Sequence, residues 1–366
     1  MLSPAKTYFP ALTGLRALAA FAVFGFHHRD APVRLPWLQV MLGELHVGVS
    51  IFFTLSGFLI ACRYAGRRFD GALWRRYLLH RVARIWPVYL ALALVTLAAS
   101  YPTEGRAHPG QWLTEALLSL TLLKGFSERW YLSGITQAWS LTVEECFYLL
   151  APLLLALGAR YRPARAWPLL AVAVAALGLG LYASLPALGS PLFVLRATIF
   201  GRLTEFLVGA AFAWALRQRP PAAGPEAGGR ATWGGLTGVA LGLAVLVAVQ
   251  RLSGNVSITT GPGVLANNLL LPLGTGWLLS GLCRERTWLS AALATRPLQA
   301  LGRASYCFYL LHMGILPTTL RPLLMSYLPG GAGLLALFGA LVLASLALHR
   351  WLEQPAYRWL TGRGAA

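Results

Sequence analysis

The sequence predicts an all-α fold, a polytopic transmembrane helical bundle of about ten spans with both termini in the cytoplasm, and three observations lead there. The 366 residues are 57% hydrophobic and only 12% charged, whereas a soluble domain has about a quarter of its residues charged. Apolar runs of roughly 17 to 25 residues recur along the whole chain, each long enough to cross a bilayer as a helix. Basic residues fall between those runs with a strong one-sided bias, the pattern that sets orientation in a membrane.

In chain order the spans are predicted at 11–28, 44–62, 84–101, 139–158, 167–186, 196–216, 232–250, 264–282, 300–319 and 331–349. The first carries an internal arginine and meets no small-residue cleavage pattern, so it is read as a retained span and not as a signal peptide. The apolar stretch 113–123 is too short to cross and is assigned as an amphipathic piece of the connection 102–138. Charge checks that choice. With the N-terminus inside, twenty-one Lys and Arg fall on the cytoplasmic side, among them Lys6, the seven arginines from Arg63 to Arg84, and Arg284, Arg286, Arg296 and Arg303. Seven fall on the other side: Arg29, Arg34, Arg106, Lys124, Arg129, Arg251 and Arg321. Promoting 113–123 to a span would invert every later segment and put the arginine clusters on the wrong face.

The net charge of +19 comes from this distribution and not from one basic domain, so nucleic acid is excluded as a partner. Residues 1–366 are read as a single membrane-embedded domain. The Pro-, Gly- and Ala-rich stretch 217–235 is read as a flexible cytoplasmic loop, and no appended soluble domain is expected. Cys62, Cys146, Cys283 and Cys307 lack metal-ligand spacing and are read as inert, and no metal site is expected. Ala-, Leu- and Arg-rich usage points to a bacterial source.

Polar residues interrupt these spans at particular depths. The stretch "LTGLRALAAFAVFGFHH" holds Arg16 and His27, eleven residues and close to three turns apart. Both side chains therefore share one face, about 16 Å apart along the axis. Ionisable groups inside a membrane are costly, and a pair on one face points to a cavity or pathway. Matching polar groups occur as His46 with "GVSIFFTLSGFLI", as "RYLLHRVARIWPVYL", "WSLTVEECFYLLAP" and "RLTEFLVGA", and as "SYCFYLLH". By this topology Arg81 and Arg84 lie at the cytoplasmic mouth near Arg16, while His27, Glu144 and His312 lie toward the outer side.

Seven motifs in register carry a resemblance: Arg16 with ten residues before His27, "FFTLSGFLI", "RVAR" with the following Pro87, "WSLTVEECFYL", "RLTEFLVG", "SYCFYLLH" and the closing "LEQPAYRWL". In that order, over almost the entire chain, the sequence resembles the acyltransferase-3 family of membrane O-acyltransferases. The resemblance implies transfer of an acyl group, often acetyl, from a cytoplasmic donor such as acetyl-CoA to a hydroxyl of a carbohydrate or glycosylated natural product. It implies acyl-CoA as co-substrate with no permanently bound cofactor, and a place in the bacterial cytoplasmic membrane among its lipids. Some members carry a hydrolase-like domain after the last helix, and none is expected here. The residues carried over are Arg16, His27, Arg81, Arg84 and Glu144, with Ser56, Arg202, Glu205 and His312 as secondary matches.

The chemistry supports roles for them. A sugar hydroxyl is a poor nucleophile near neutral pH, and His27 has the intrinsic basicity to take its proton. Glu144, at similar depth, is expected to orient that ring; a histidine nucleophile carrying the acyl group is the other reading of His27. Arg81 and Arg84, three apart on one helical face, are expected to grip the donor's phosphates. Ser56 is left outside the catalytic set because "LSGFL" has no neighbouring base and reads as small-residue helix packing. His46, Arg202, Glu205 and His312 are assigned as cavity lining. The competing class is a transporter or flippase of a lipid-linked or small polar substrate, which intramembrane charges would also suit.

Overall fold

The computed structural model describes residues 8–30, 35–161, 163–218, 228–328 and 330–362, and among them the chain is helical with no β-strand. The helix α1, Pro10–His27, starts on a proline, which lacks only an N–H that the first turn leaves unpaired anyway. A short α2, Pro36–Glu44, leads into α3, Val47–Tyr64. The Asp70 carboxylate accepts from the Leu73 backbone N–H at 2.7 Å and so starts α4, Gly71–Ser100, thirteen residues before the predicted span. Arg75, Arg76, Arg81 and Arg84 therefore all ride on one helix. A π-helical turn, Tyr101–Gly105, separates α4 from α5, Pro109–Leu120. At 12 residues α5 is too short to cross, as the sequence indicated for 113–123.

Beyond it come α6, Trp139–Tyr161, α7, Pro163–Ser184, a seven-residue α8, Pro191–Ala197, and α9, Ile199–Gln218. The predicted 217–235 loop is shorter than expected, because α9 holds Arg217 and α10, Arg230–Ser253, begins at 230; residues 219–227 lie outside the described residues. The Glu285 carboxylate accepts from the backbone N–H of Ala231 and Thr232 at 2.8 and 2.7 Å, closing the first turn of α10. After α11, Gly261–Arg284, the chain is broken into short pieces: α12, Trp288–Leu293; α13, Arg296–Arg303; α14, Ser305–Leu311; and α15, Ile315–Tyr327. The last are α16, Gly331–Leu348, a π-helical turn at His349–Glu353, and α17, Gln354–Leu360.

Eight of the ten predicted segments coincide with helices long and apolar enough to cross a membrane. The other two differ. The 264–282 segment lies in α11, which is 24 residues and about 36 Å long, but Asn267, Asn268 and several glycines dilute its apolar character. The 300–319 segment is no continuous helix: it bends between α13 and α14 and breaks at His312–Gly314, where Gly314 has φ +103°. Only glycine adopts that conformation without strain.

The α3 helix is the centre of the bundle, packed by α1, α6, α9 and α11. Its contact with α9 is a backbone-to-backbone one: a Cβ on Gly57 would fall 2.0 Å from the Phe206 carbonyl oxygen, and one on Gly209 would fall 1.9 Å from that of Thr54. Small residues let helices approach this closely where lipid gives no hydrophobic drive between them. Toward the outside, α7 and α16 present exposed Leu169, Val172, Leu335 and Leu343, an apolar surface that suits hydrocarbon. Gly209→Ala should therefore destabilise the protein by about 1–3 kcal/mol, as overpacking does. Gly339→Ala, where an added Cβ meets nothing within 4 Å, should be neutral or mildly stabilising. Thermal unfolding in detergent micelles compares the two, and equal losses would contradict the close α3–α9 contact.

Candidate active site

Two cavities lie along α1. The first, about 80 Å³, is at the Arg16 end and is lined by Arg16, Arg81, Arg84, Ser56, Glu144 and Tyr148. Its polar groups are tied together. The Ser56 hydroxyl donates to Glu144 Oε1 at 2.7 Å, and the Tyr148 hydroxyl donates to the same oxygen. Arg81 lies over the rings of Tyr77 and Tyr148, 5.6 and 5.3 Å from their centroids, and its buried Nε has no hydrogen-bond partner among the described residues. Three guanidiniums face one lining carboxylate, an excess of positive charge suited to an anionic ligand.

The second cavity, about 370 Å³, lies at the His27 end and is lined by His27, His46, Arg29, Arg196, Arg202 and Gln137, among others. The Phe26 ring stands edge-on to both His27 and His46, at 4.9 and 5.5 Å between centroids. His46 Nε2 meets Glu44 Oε2 at 3.1 Å, and Ser257 bonds the same carboxylate through its backbone N–H at 2.9 Å and through its hydroxyl. Val49 and Tyr309 line both cavities, so the two meet back to back across the thickness of a side chain. The Tyr309 hydroxyl is held by Ser140 Oγ at 2.8 Å.

The fold thus brings Arg16, Arg81, Arg84 and Glu144 together and places His27 in the neighbouring cavity. The expected pairing of Glu144 with His27 is not formed: Glu144 bonds Ser56 and Tyr148, and no carboxylate hydrogen-bonds His27 among the described residues. Ser56, which its own motif left without a neighbouring base, has that carboxylate beside it because α6 crosses α3 at this level. Arg202 lines the second cavity, whereas Glu205 is its buried partner, with Nε and Oε2 3.2 Å apart. Asn268 Oδ1 accepts from Arg202 at 2.8 Å and Asn267 Oδ1 accepts from Ser50 at 3.0 Å, a network that the sequence analysis missed although two adjacent asparagines in an apolar run signal it. His312 lies within 5.2 Å of His27 between ring centroids. Cys307, expected to be inert, meets a carboxylate: its Sγ is 3.1 Å from Glu353 Oε2, which His349 Nδ1 also approaches at 2.7 Å. These three ligand-type atoms lie within 4.8 Å of one another, a cluster that no sequence spacing announced.

With this geometry in place, the comparisons are decisive. The profile of an acyltransferase domain matches residues 9–350. The chain belongs to the acyltransferase-3 family. Among acyltransferase-3 relatives, the acyltransferase MdmB of Streptomyces mycarofaciens is 28% identical over 393 aligned positions, covering 99% of this chain and 95% of its own. The O-acetyltransferase OatA of Staphylococcus aureus is 29% identical over 173 residues, 42% of this chain and 26% of the relative. The peptidoglycan O-acetyltransferase OatA of Listeria monocytogenes is 27% identical over 165 residues, 40% and 24%. No solved structure matches. As an acyltransferase-3 protein the chain is a membrane O-acyltransferase, and the transporter reading gives way.

One wall of the His27 cavity, Tyr131 to Gln137, precedes α6 and belongs to no long helix. Lys124 anchors it. Its fully buried amine donates to the carbonyls of Ile135, at 2.6 Å, and Ser133. Burial pushes that amine down to about 7, with Glu115 pulling it back up. Between about pH 7 and the ordinary lysine value the unfolded chain therefore holds a proton that the folded chain lacks, so stability rises with pH across that window. Lys124→Met should lower stability by about 1–3 kcal/mol by orphaning two carbonyls. Hydrogen exchange should rise over 130–138 and not in α10, and the melting gap to wild type should widen from pH 7 to pH 9; a gap that narrows would contradict the assigned burial.

Proposed function

We propose that the protein moves a short acyl group, acetyl by fit, from an acyl-CoA thioester to a hydroxyl of a carbohydrate or glycosylated natural product. One observation carries this reading: an arginine-lined cavity and a histidine-lined cavity stand back to back, sharing Val49 and Tyr309. Arg81 and Arg84 hold the donor's phosphates, and the slender arm of CoA runs along α1 past Arg16, roughly the 16 Å between Arg16 and His27. The narrowness of the first cavity favours a small acyl group on that arm. The one-sided charge of the sequence puts the Arg16 end in the cytoplasm, where acyl-CoA resides, and the His27 end outside. The named bacterial relatives support the cytoplasmic membrane of a bacterium as the location, and the relatives named O-acetyltransferases, one of them for peptidoglycan, support a glycan hydroxyl as acceptor.

In the second cavity His27 takes the acceptor's proton as its oxygen attacks the thioester carbonyl. The new C–O bond forms, the C–S bond breaks, and the imidazolium returns the proton to the departing sulfur. Glu144 serves the first cavity instead: it fixes Ser56 and Tyr148 and sets one carboxylate against the three guanidiniums. Arg16 stands beside the donor's path as the cation nearest the reacting arm.

Phosphate contacts act in ground and transition states alike, whereas proton transfer develops only in the transition state. Replacing Arg81 or Arg84 by alanine should raise KM for acetyl-CoA on the order of tenfold or more, the worth of one charge-assisted hydrogen bond. His27→Ala should leave donor affinity near normal and lower kcat by about 10² to 10⁴-fold. Calorimetry with acetyl-CoA and turnover with a glycan acceptor, both on purified protein, measure the two terms. Loss of donor binding in His27→Ala as complete as in the arginine variants would end this division of roles.

A further inference from the structure

His27 lines its cavity without a carboxylate, so the positive charge it acquires needs another destination. The nearest candidate is a second imidazole. His312 is fully buried, its ring centroid is 5.2 Å from that of His27, and the two planes are inclined by 43°. Its Nδ1 lies 2.7 Å from the Tyr309 carbonyl oxygen, which only accepts, so Nδ1 carries the proton and Nε2 is a free lone pair. That Nε2 is buried without any hydrogen-bond partner among the described residues, a costly arrangement unless something uses it.

The surrounding fold holds His312 in this state. It sits where the helix breaks before Gly314, and the break frees the carbonyls of Tyr309 and Leu310. Gln137 Nε2 donates to both, at 3.0 and 2.7 Å, and His312 Nδ1 shares the first. Phe308 stacks parallel to the imidazole at 7° between planes. The ring therefore cannot flip without breaking its tie to Tyr309. The other charged or titratable groups on the packed elements are His28, Arg29 and Asp30 after α1, Glu44 and His46 before α3, Arg202 and Glu205 on α9, Tyr309 on α14 and Arg321 on α15. Of the acids, Glu44 is engaged by His46 and Ser257, Glu205 by Arg202, and Asp30 is exposed beyond the end of α1, so no carboxylate hydrogen-bonds either imidazole among the described residues.

We propose that His312 is a positioning residue that completes a two-imidazole proton relay with His27. This rests on His27 being the base. As the acceptor's oxygen bonds the acyl carbon, one nitrogen of His27 takes the hydroxyl proton and the other passes its own proton to His312 Nε2, directly or through one water. The charge then resides on His312, whose Nδ1–H strengthens its bond to Tyr309. When the C–S bond breaks, the proton returns along the same path to the sulfur, and both rings end neutral.

The test uses His312→Asn, whose amide N–H can still donate to Tyr309 but which has nothing at the Nε2 position. His312→Gln is read beside it, because it reaches that position with a group that cannot take a proton. Both should accumulate in membranes as wild type, bind acetyl-CoA normally, lose on the order of 10²-fold in kcat, and shift the acid limb of the kcat–pH profile. Activity within threefold of wild type in the two variants would overturn the relay, as would a loss of kcat with an unmoved acid limb, which is the mark of a purely structural role. His27→Ala runs as the control. If it stays active, the base assignment and the relay fail together; if it is inactive while both His312 variants are normal, the relay alone fails.

Discussion

A guanidinium buried among helices in a membrane must be answered by the protein, since hydrocarbon offers it nothing, and the ion pair of Arg202 with Glu205 is where this fold meets that requirement. The pair sits on α9, and its remaining polar atoms are answered by Ser50 on α3 and by Asn267 and Asn268 on α11. Three helices are thereby held in one register by groups that would cost about 3–5 kcal/mol to unpair. The glycine contacts between α3 and α9 bring the backbones close enough for those bonds to close. Everything functional is hung on the same crossing. Toward one end α3 offers Ser56 to the arginine cavity, and at the other His46, just before it, lines the histidine cavity.

Much of this fold is legible in the sequence because span length is a local property. Apolar runs such as 331–349 announce themselves, and α1 delivers Arg16 and His27 to separate cavities as their eleven-residue spacing requires. The broken segment at 300–319 could not be read that way. Its composition is less apolar than that of 331–349 but does not say where the helix breaks, and what stabilises the break is Gln137, distant in sequence, which satisfies the two carbonyls that the break exposes. Gly314 is the sole local hint.

The site was legible as a set of residues and illegible as a set of pairs. Arg16, Arg81, Arg84 and Glu144 do share a cavity. The partnership of Glu144 with His27 rests on a shared outer-side depth, and the structure differs there: α6 delivers that carboxylate to the cavity at the Arg16 end, where it meets Ser56 and Tyr148 instead. His312, placed only as lining, gains its neighbour from the packing of α14 against α1, which its motif does not announce. Lys124 was read only as one charge on the outer side, yet it buries its amine to hold a cavity wall.

The side chains of Val49 and Tyr309 have a meaning beyond catalysis. A membrane that stores energy as an ion gradient cannot tolerate a continuous file of water through an enzyme, because protons would follow it. In the proposed transfer an acyl group would cross as neutral matter between the cavities, and the Tyr309 ring, held by Ser140, stands between them. A bundle built to that proposal would export chemistry without discharging the membrane that holds it.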